Sequence, residues 1–174
     1  MTPPTLRTDR LLLAPHAAND LDDSTAMWGD PAVTAAIGGR PFSREEVWQR
    51  LLRYVGHWQV AGYGQWVVRL AADGAYLGEV GLMDSRRATV PSFEGTPEAG
   101  WAFATRAHGR GYAREAVAAM LAWADARGMA RTVCIIDPGN ARSIHLAEAL
   151  GYRSAGAVLY REGRTRLFER RAKG

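Results

Sequence analysis

The run His108-Gly109-Arg110-Gly111-Tyr112-Ala113-Arg114-Glu115-Ala116 has the residue types of an anion cradle. It follows the apolar stretch Gly100–Ala104, which reads as a buried strand, and it precedes a long amphipathic helix pattern. Two glycines at such a turn let the backbone approach a ligand closely, and the helix start offers unpaired N–H groups with a partial positive charge. That chemistry suits a phosphate or pyrophosphate. Generic fingerprints fit poorly. A dinucleotide fold asks for a third glycine where Arg114 stands. A P-loop ends in Gly-Lys-Ser/Thr, and the chain's single lysine is Lys173 at its far end.

The elements that must position this turn are legible in outline. Arg10–Ala14 reads as a first strand, and Asn19 or Asp20 as the cap of a short helix towards Trp28. Ser43 and Glu46 form a capping box for a helix over Glu45–Val60. Gln65–Leu70 and Ala75–Met83 are strands joined by Asp73-Gly74, a hairpin signal. Asp84–Pro97 reads as a loop and Glu98–Ala104 as the next strand. The helix after the glycine turn repeats apolar residues at Tyr112, Ala116, Met120 and Ala124 and closes at Gly128. Thr132–Ile136 is a short strand, Ser143–Leu150 a helix, and strands near Arg153–Tyr160 and Thr165–Arg170 flank Glu162-Gly163. The expected fold class is α/β with a mixed sheet, in one domain over residues 1–174.

Composition narrows the function classes. No apolar run approaches the ~18 residues of a membrane span, and no signal-peptide pattern opens the chain. One cysteine, Cys134, rules out an internal disulfide, so the cytoplasm is the expected compartment. Mid-strand in an apolar run, its thiol reads as buried and inert. The net charge of +4 raises the question of nucleic acid, yet the basic residues are mostly scattered arginines. Their densest group, Arg161, Arg164, Arg166, Arg170 and Arg171, lies in the terminal hairpin and reads as a solvated face. No aromatic-interleaved basic stripe accompanies it.

The segment His108-x-x-Gly111-x-Ala113 resembles the Q/R-x-x-G-x-G/A signature of the GNAT N-acetyltransferase superfamily. Glu98-Ala99-Gly100-Trp101 followed by Gly109–Ala116 is similar to the RimJ/RimL-like branch, which acetylates ribosomal-protein N-termini. Three further matches fall in order: Thr8-Asp9-Arg10-Leu11-Leu12-Leu13, Asn140-Ala141-Arg142-Ser143 and Ala149-Leu150-Gly151-Tyr152. The resemblance spans nearly the whole chain. It implies a fold in which two central parallel strands, here Glu98–Ala104 and Thr132–Ile136, splay apart to admit acetyl-CoA as acetyl donor.

From that resemblance Trp101, Ala102 and Phe103 are expected to line the pantetheine arm, whose amides pair with freed strand groups. The backbone of Gly109, Arg110, Gly111, Tyr112 and Ala113 is expected to hold the pyrophosphate, with Arg110 or Arg114 adding charge. His108 stands where the family has Gln or Arg, which leaves a backbone role. Acyl transfer needs a neutral amine, a polarised thioester and a proton for the leaving thiolate. Many relatives supply that proton from a tyrosine at the position of Ala147. By resemblance Ser143 and Asn140 lie near the sulfur instead; serine is also a ready helix cap and asparagine a turn residue, and both readings stand. Glu98, or Glu79 one strand earlier, is the candidate base.

The acceptor is expected to be a primary amine, on a protein N-terminus or a small molecule, attacked directly in a ternary complex. An α-amino group near ~7.8 suits a weak base better than a lysine near ~10.4. The acceptor pocket is expected from Trp28–Phe42, with Gly38-Gly39 as a flexible point, and from the Asp84–Pro97 loop. No metal and no membrane partner are implied, and a homodimer is compatible with the resemblance. Two other classes remain at this level: a CoA-binding regulatory module with weak catalysis, and an arginine-rich nucleic-acid binder.

Overall fold

The computed structural model describes residues 3–172, so Lys173 lies outside the described residues. Strands β1 (Leu6–Arg7), β2 (Leu11–Pro15), β3 (Gln65–Leu70), β4 (Tyr76–Met83), β5 (Thr89–Val90), β6 (Glu98–Phe103), β7 (Arg131–Ile136), β8 (Arg153–Tyr160) and β9 (Gly163–Arg171) form one sheet. Its order is β1-β2-β3-β4-β6-β7-β9-β8-β5. Every neighbouring pair runs antiparallel except β6 and β7.

Helices α1 (Leu21–Trp28), α2 (Pro31–Thr34) and α3 (Arg44–Ala61) precede β3; α4 (Tyr112–Ala126) and α5 (Ala141–Ala149) flank β7. The capping box holds as expected: Ser43 Oγ accepts from Glu46 N, and Glu46 Oε2 accepts from Ser43 N at 2.8 Å. Asp20 behaves differently from expectation. Its carboxylate caps the preceding 3-10 turn by accepting from Ala17 N and pairs with Arg69, so it does not cap α1 by its side chain. The two-residue strands and four-residue α2 are too short to carry a periodic pattern.

Both faces of the sheet are covered, which is why β4 is buried along its whole length. On one face α4 contributes Ala116, Val117, Met120 and Ala124 to a core with Val80, Leu82 and Phe103. On the other, Met27, Trp28, Val33 and Val47 from the first three helices pack on Val67, Tyr76 and Ala102. The two sets alternate along the strands with a period of two, except in β4, where Leu77 is an extra residue in the pairing with β3 and Tyr76 therefore falls on the opposite face from Val80 and Leu82. Trp58, Trp66 and Trp123 meet edge to face with centroids 4.8–5.6 Å apart, tying α3, β3 and α4 together.

The terminal hairpin corrects one expectation. Arg170 is nearly buried and forms a two-pronged pair with Asp125, Arg171 pairs with Glu169, and Arg166 lies over the Phe168 ring. Part of this basic cluster therefore braces the fold and is not a solvated face. Among the described residues no helix is long and apolar enough to cross a membrane.

Candidate active site

Strands β6 and β7 share a single parallel bridge, Glu98 to Val133, and then part. Beyond that point, among the described residues, β6 is held only by β4, and β7 only by β9. A groove of about 960 Å³ opens beside the parted strands, walled by Trp101, Ala102, Phe103, His108, the Gly109–Arg114 turn and the start of α5.

The turn takes its shape from its glycines. Gly109 and Gly111 have φ of 74° and 77°, a conformation that costs other residues about 1–2 kcal/mol. A Cβ on Gly109 would meet nothing within 4 Å, so conformation and not crowding demands glycine there. Gly111 is the N-cap of α4. Among the described residues no acceptor takes the amides of Gly109 to Arg114, leaving the unsatisfied donors of a helix start facing the groove. A pyrophosphate fits such a set of donors. Arg114 lies on the groove wall; the exposed Arg110 side chain does not. Arg110 contributes its carbonyl, which accepts from Arg10 Nη1 at 3.0 Å. His108 braces the site: its Nε2 bonds the Phe103 carbonyl at 2.9 Å while Arg142 donates to its Nδ1 at 3.3 Å. With Nδ1 accepting, that network places the proton on Nε2.

A second cleft, of about 320 Å³, lies on the α1–α3 side and shares Trp101, Ala102, Asn140 and Ser143 with the groove. Its walls include Trp28 and Gly38 from the helical segment, and Ser85 and Arg87 from the loop after β4. Three carboxylates line it: buried Glu98 and Glu79, and exposed Asp137, whose Oδ1 accepts from Gly139 N. Glu98, 8% exposed, is ion-paired to Arg87 at 2.7 Å, and Arg87 also donates to the Tyr160 hydroxyl at 2.9 Å. Glu79, 3% exposed, has no cationic partner among the described residues. It accepts instead from Ser24 Oγ at 3.0 Å, the Tyr76 hydroxyl at 3.1 Å and Trp28 Nε1 at 3.1 Å. Register sets Glu79 directly across from Ala102, so its side chain shares a face with the strand expected against the pantetheine.

Where the clefts meet, Trp101 Nε1–H donates to Ser143 Oγ at 3.3 Å. Asn140, not Ser143, is the side-chain cap of α5: its Oδ1 accepts from Ser143 N at 3.1 Å. The serine hydroxyl is thereby left with its own proton to give. Ala147 is fully buried, with no room taken by a tyrosine. Cys134 also lines the second cleft, and burial pushes its thiol well above the ordinary range, so a thiolate nucleophile is disfavoured. Among the described residues no group of three or more His, Cys, Asp or Glu is arranged to hold a metal ion.

Sequence reasoning did not find Arg10, Arg50, Tyr54, Arg87 or Tyr160 as neighbours of the site. Arg50 and Tyr54 do carry a local signal, an i, i+4 spacing on the face of α3 that also bears Val47 and Leu51. Arg87 and Tyr160 carry none, being a loop residue and a strand end brought together by the fold.

A mixed sheet split at its parallel pair, with a groove ending in a helix-start turn and a second cleft abutting it, is the architecture of an α/β acyltransferase. The chain belongs to the GNAT acetyltransferase family: residues 10–153 match the family's "Acetyltransferase (GNAT) domain". It is similar to a GnaT-family acetyltransferase from Bordetella pertussis, at 34% identity over 97% of this chain and 99% of that one, with a TM-score of 0.84. The Bacillus subtilis (strain 168) protein YkkB is 30% identical over 155 residues, 84% of this chain and 83% of YkkB. At 13% identity the fold alone is shared with the ribosomal L7/L12 alpha-N-protein acetyltransferase RimL in complex with coenzyme A (TM-score 0.78, 97% and 98% covered).

Proposed function

We propose that this N-acetyltransferase moves an acetyl group from acetyl-CoA to a primary amine by direct attack in a ternary complex. The carrying observation is that the two clefts meet at Trp101, Ala102, Asn140 and Ser143. The donor groove offers unpaired amides to a pyrophosphate, and the freed edges of β6 and β7 offer N–H and C=O groups to the amides of a pantetheine arm. A strand amide near Trp101 polarises the thioester carbonyl.

The amine arrives through the second cleft and gives up a proton to a carboxylate, directly or through water. Of the two candidates Glu79 is the better placed, because the Arg87 guanidinium already holds Glu98. Nitrogen then attacks the carbonyl carbon, the carbon–sulfur bond breaks, and the electron pair leaves on sulfur. Ser143 meets the thiolate with a hydrogen bond. An alcohol is too weak an acid to protonate it outright, so solvent or the released amine proton completes the step. Turnover through an acetyl-Cys134 intermediate finds no support in so buried a thiol.

The test is a panel of amines with acetyl-CoA, read by thiol release, followed by initial rates at varied concentrations of both substrates. Intersecting double-reciprocal lines, and full turnover in Cys134→Ala, are the expected results. Parallel lines with loss of turnover in Cys134→Ala overturn direct transfer. Tight CoA binding without thiol release from any amine marks a binding module instead.

A further inference from the structure

Among the described residues, the acceptor cleft holds two arginines without a carboxylate partner beside a buried carboxylate, Glu79, without a cationic one. Arg50 lines the cleft with its guanidinium seated over the Trp28 ring at 4.1 Å and over the Phe42 ring at 4.9 Å. It gives one N–H to the Tyr54 hydroxyl at 2.9 Å and has no carboxylate partner among the described residues. Arg53, exposed on the next turn of α3, lies over the Tyr54 ring at 5.6 Å and is likewise without an acid partner. Trp28 links the two ends of the cleft. Its indole N–H edge serves Glu79 and its face carries Arg50, so the opposite charges stand one ring apart.

From this juxtaposition we infer that the acceptor is an amine bearing a carboxylate close to the amino group, of the α-amino-acid class. Resting on the acetyl-transfer reading above, this assigns each end of the substrate a partner. The ammonium faces buried Glu79, opposite Ala102 and next to the Trp101–Ser143 junction. The carboxylate faces Arg50 and Arg53. Aromatic stacking fixes the Arg50 fork in advance, so it can grip a carboxylate in two-pronged fashion with little ordering cost. A polyamine would set a second cation against two uncompensated arginines. A peptide N-terminus would place a neutral amide there and leave both guanidinia unmatched, unless its first residue supplies a side-chain acid.

The experiment compares the common L-amino acids with their carboxamides and decarboxylated amines as acceptors for the full chain with acetyl-CoA. Peptide amides beginning with Asp or Glu form a separate arm. In parallel, calorimetric titration of the same amino acids and amides into the CoA-loaded protein reads binding without chemistry. At least one acid is expected to exceed its carboxamide by about tenfold or more in both kcat/KM and affinity. In Arg50→Gln that ratio is expected to collapse towards one, with Arg50→Lys retaining part of it. Preference for the acidic-N-terminus peptides over every free amino acid keeps the carboxylate rule and moves its source to a side chain. Acid-selective, Arg50-dependent binding without thiol release supports the inference and sinks acetyl transfer. Amides that serve as well as acids in the wild-type protein overturn the inference while acetyl transfer stands. Absence of both turnover and acid-selective binding overturns both.

Discussion

Arg10 and Glu115, 105 positions apart in sequence, form a double contact: Arg10 Nε and Nη2 lie 2.7 and 2.6 Å from Glu115 Oε2. Glu115 Oε1 also accepts from Thr8 Oγ1 and Arg10 N, and Arg10 Nη1 reaches the Arg110 carbonyl. The opening Thr-Asp-Arg run and the glycine turn are thus one structural unit. Burial works against ionising Glu115, but the bonds from Thr8 and Arg10 outweigh it and hold the carboxyl below its ordinary range.

Removing Arg10 should therefore loosen the turn more than the fold. The pair is partly exposed, so Arg10→Ala is expected to cost about 1 kcal/mol of stability. The KM for acetyl-CoA should rise several-fold while kcat changes less, since the amides stay present but are no longer fixed. Unchanged KM alongside a large fall in melting temperature would show that the contact serves the core alone.

How far the sequence carried this result depends on distance along the chain. The Ser43–Glu46 capping box, the Asp73-Gly74 hairpin and the α4 stripe each rest on residues within a turn or two, and each appears in the fold. The splayed parallel pair rested on family resemblance, since nothing in β6 or β7 alone says that they bridge only at Glu98 and Val133. Partners far apart in sequence were out of reach, as Arg170 with Asp125 shows. So was the difference between Glu79 and Glu98: both are glutamates in apolar strands, and only the fold gives one an arginine and the other three neutral donors.

That difference predicts unlike losses of activity. Glu79→Gln is expected to lower kcat/KM by about 100-fold, the low end of general-base effects, with KM for acetyl-CoA little changed. An amide also cannot accept from all three donors, so a stability loss of about 1–3 kcal/mol should accompany it. Glu98→Gln should change kcat/KM by less than about tenfold. Initial rates measured for both variants decide the matter, and the reverse pattern would assign the base to Glu98.

His16 sets a pH limit on the fold itself. Burial lowers its pKa below 6.5 despite the nearby carboxylates of Glu79 and Asp20, and among the described residues neither ring nitrogen has a hydrogen-bond partner. The unfolded chain takes up this proton more readily than the folded one. Its contribution is therefore fully present above pH ~6.5 and is lost as pH falls towards the depressed folded value, by at most about 1.4 kcal/mol per pH unit. Melting temperatures measured between pH 7 and 5 should fall more steeply for the wild-type protein than for His16→Phe, which keeps a ring against Tyr54. Parallel curves would mean that His16 titrates as it does in the unfolded chain.

The Trp101–Ser143 contact makes the sharpest claim about chemistry. Trp101 can only donate, so its N–H occupies a lone pair of Ser143 Oγ and turns the serine's own hydrogen outward. Asn140 separately takes the backbone N–H of Ser143 and fixes the start of α5. Both arrangements leave one hydroxyl proton free where the clefts meet, and in the proposed transfer charge develops there as the thioester sulfur departs. Ser143→Ala should therefore lower kcat by about 10- to 100-fold, the range of a lost charge-assisted hydrogen bond, with KM for acetyl-CoA nearly constant. Trp101→Phe keeps the ring but frees the serine to rotate, so it should move kcat in the same direction by a smaller factor. Because the indole acts only through the hydroxyl, adding Trp101→Phe to Ser143→Ala should cost little more in kcat. Fully additive losses would separate the two residues, leaving Trp101 as a wall of the pantetheine groove and Ser143 without a director.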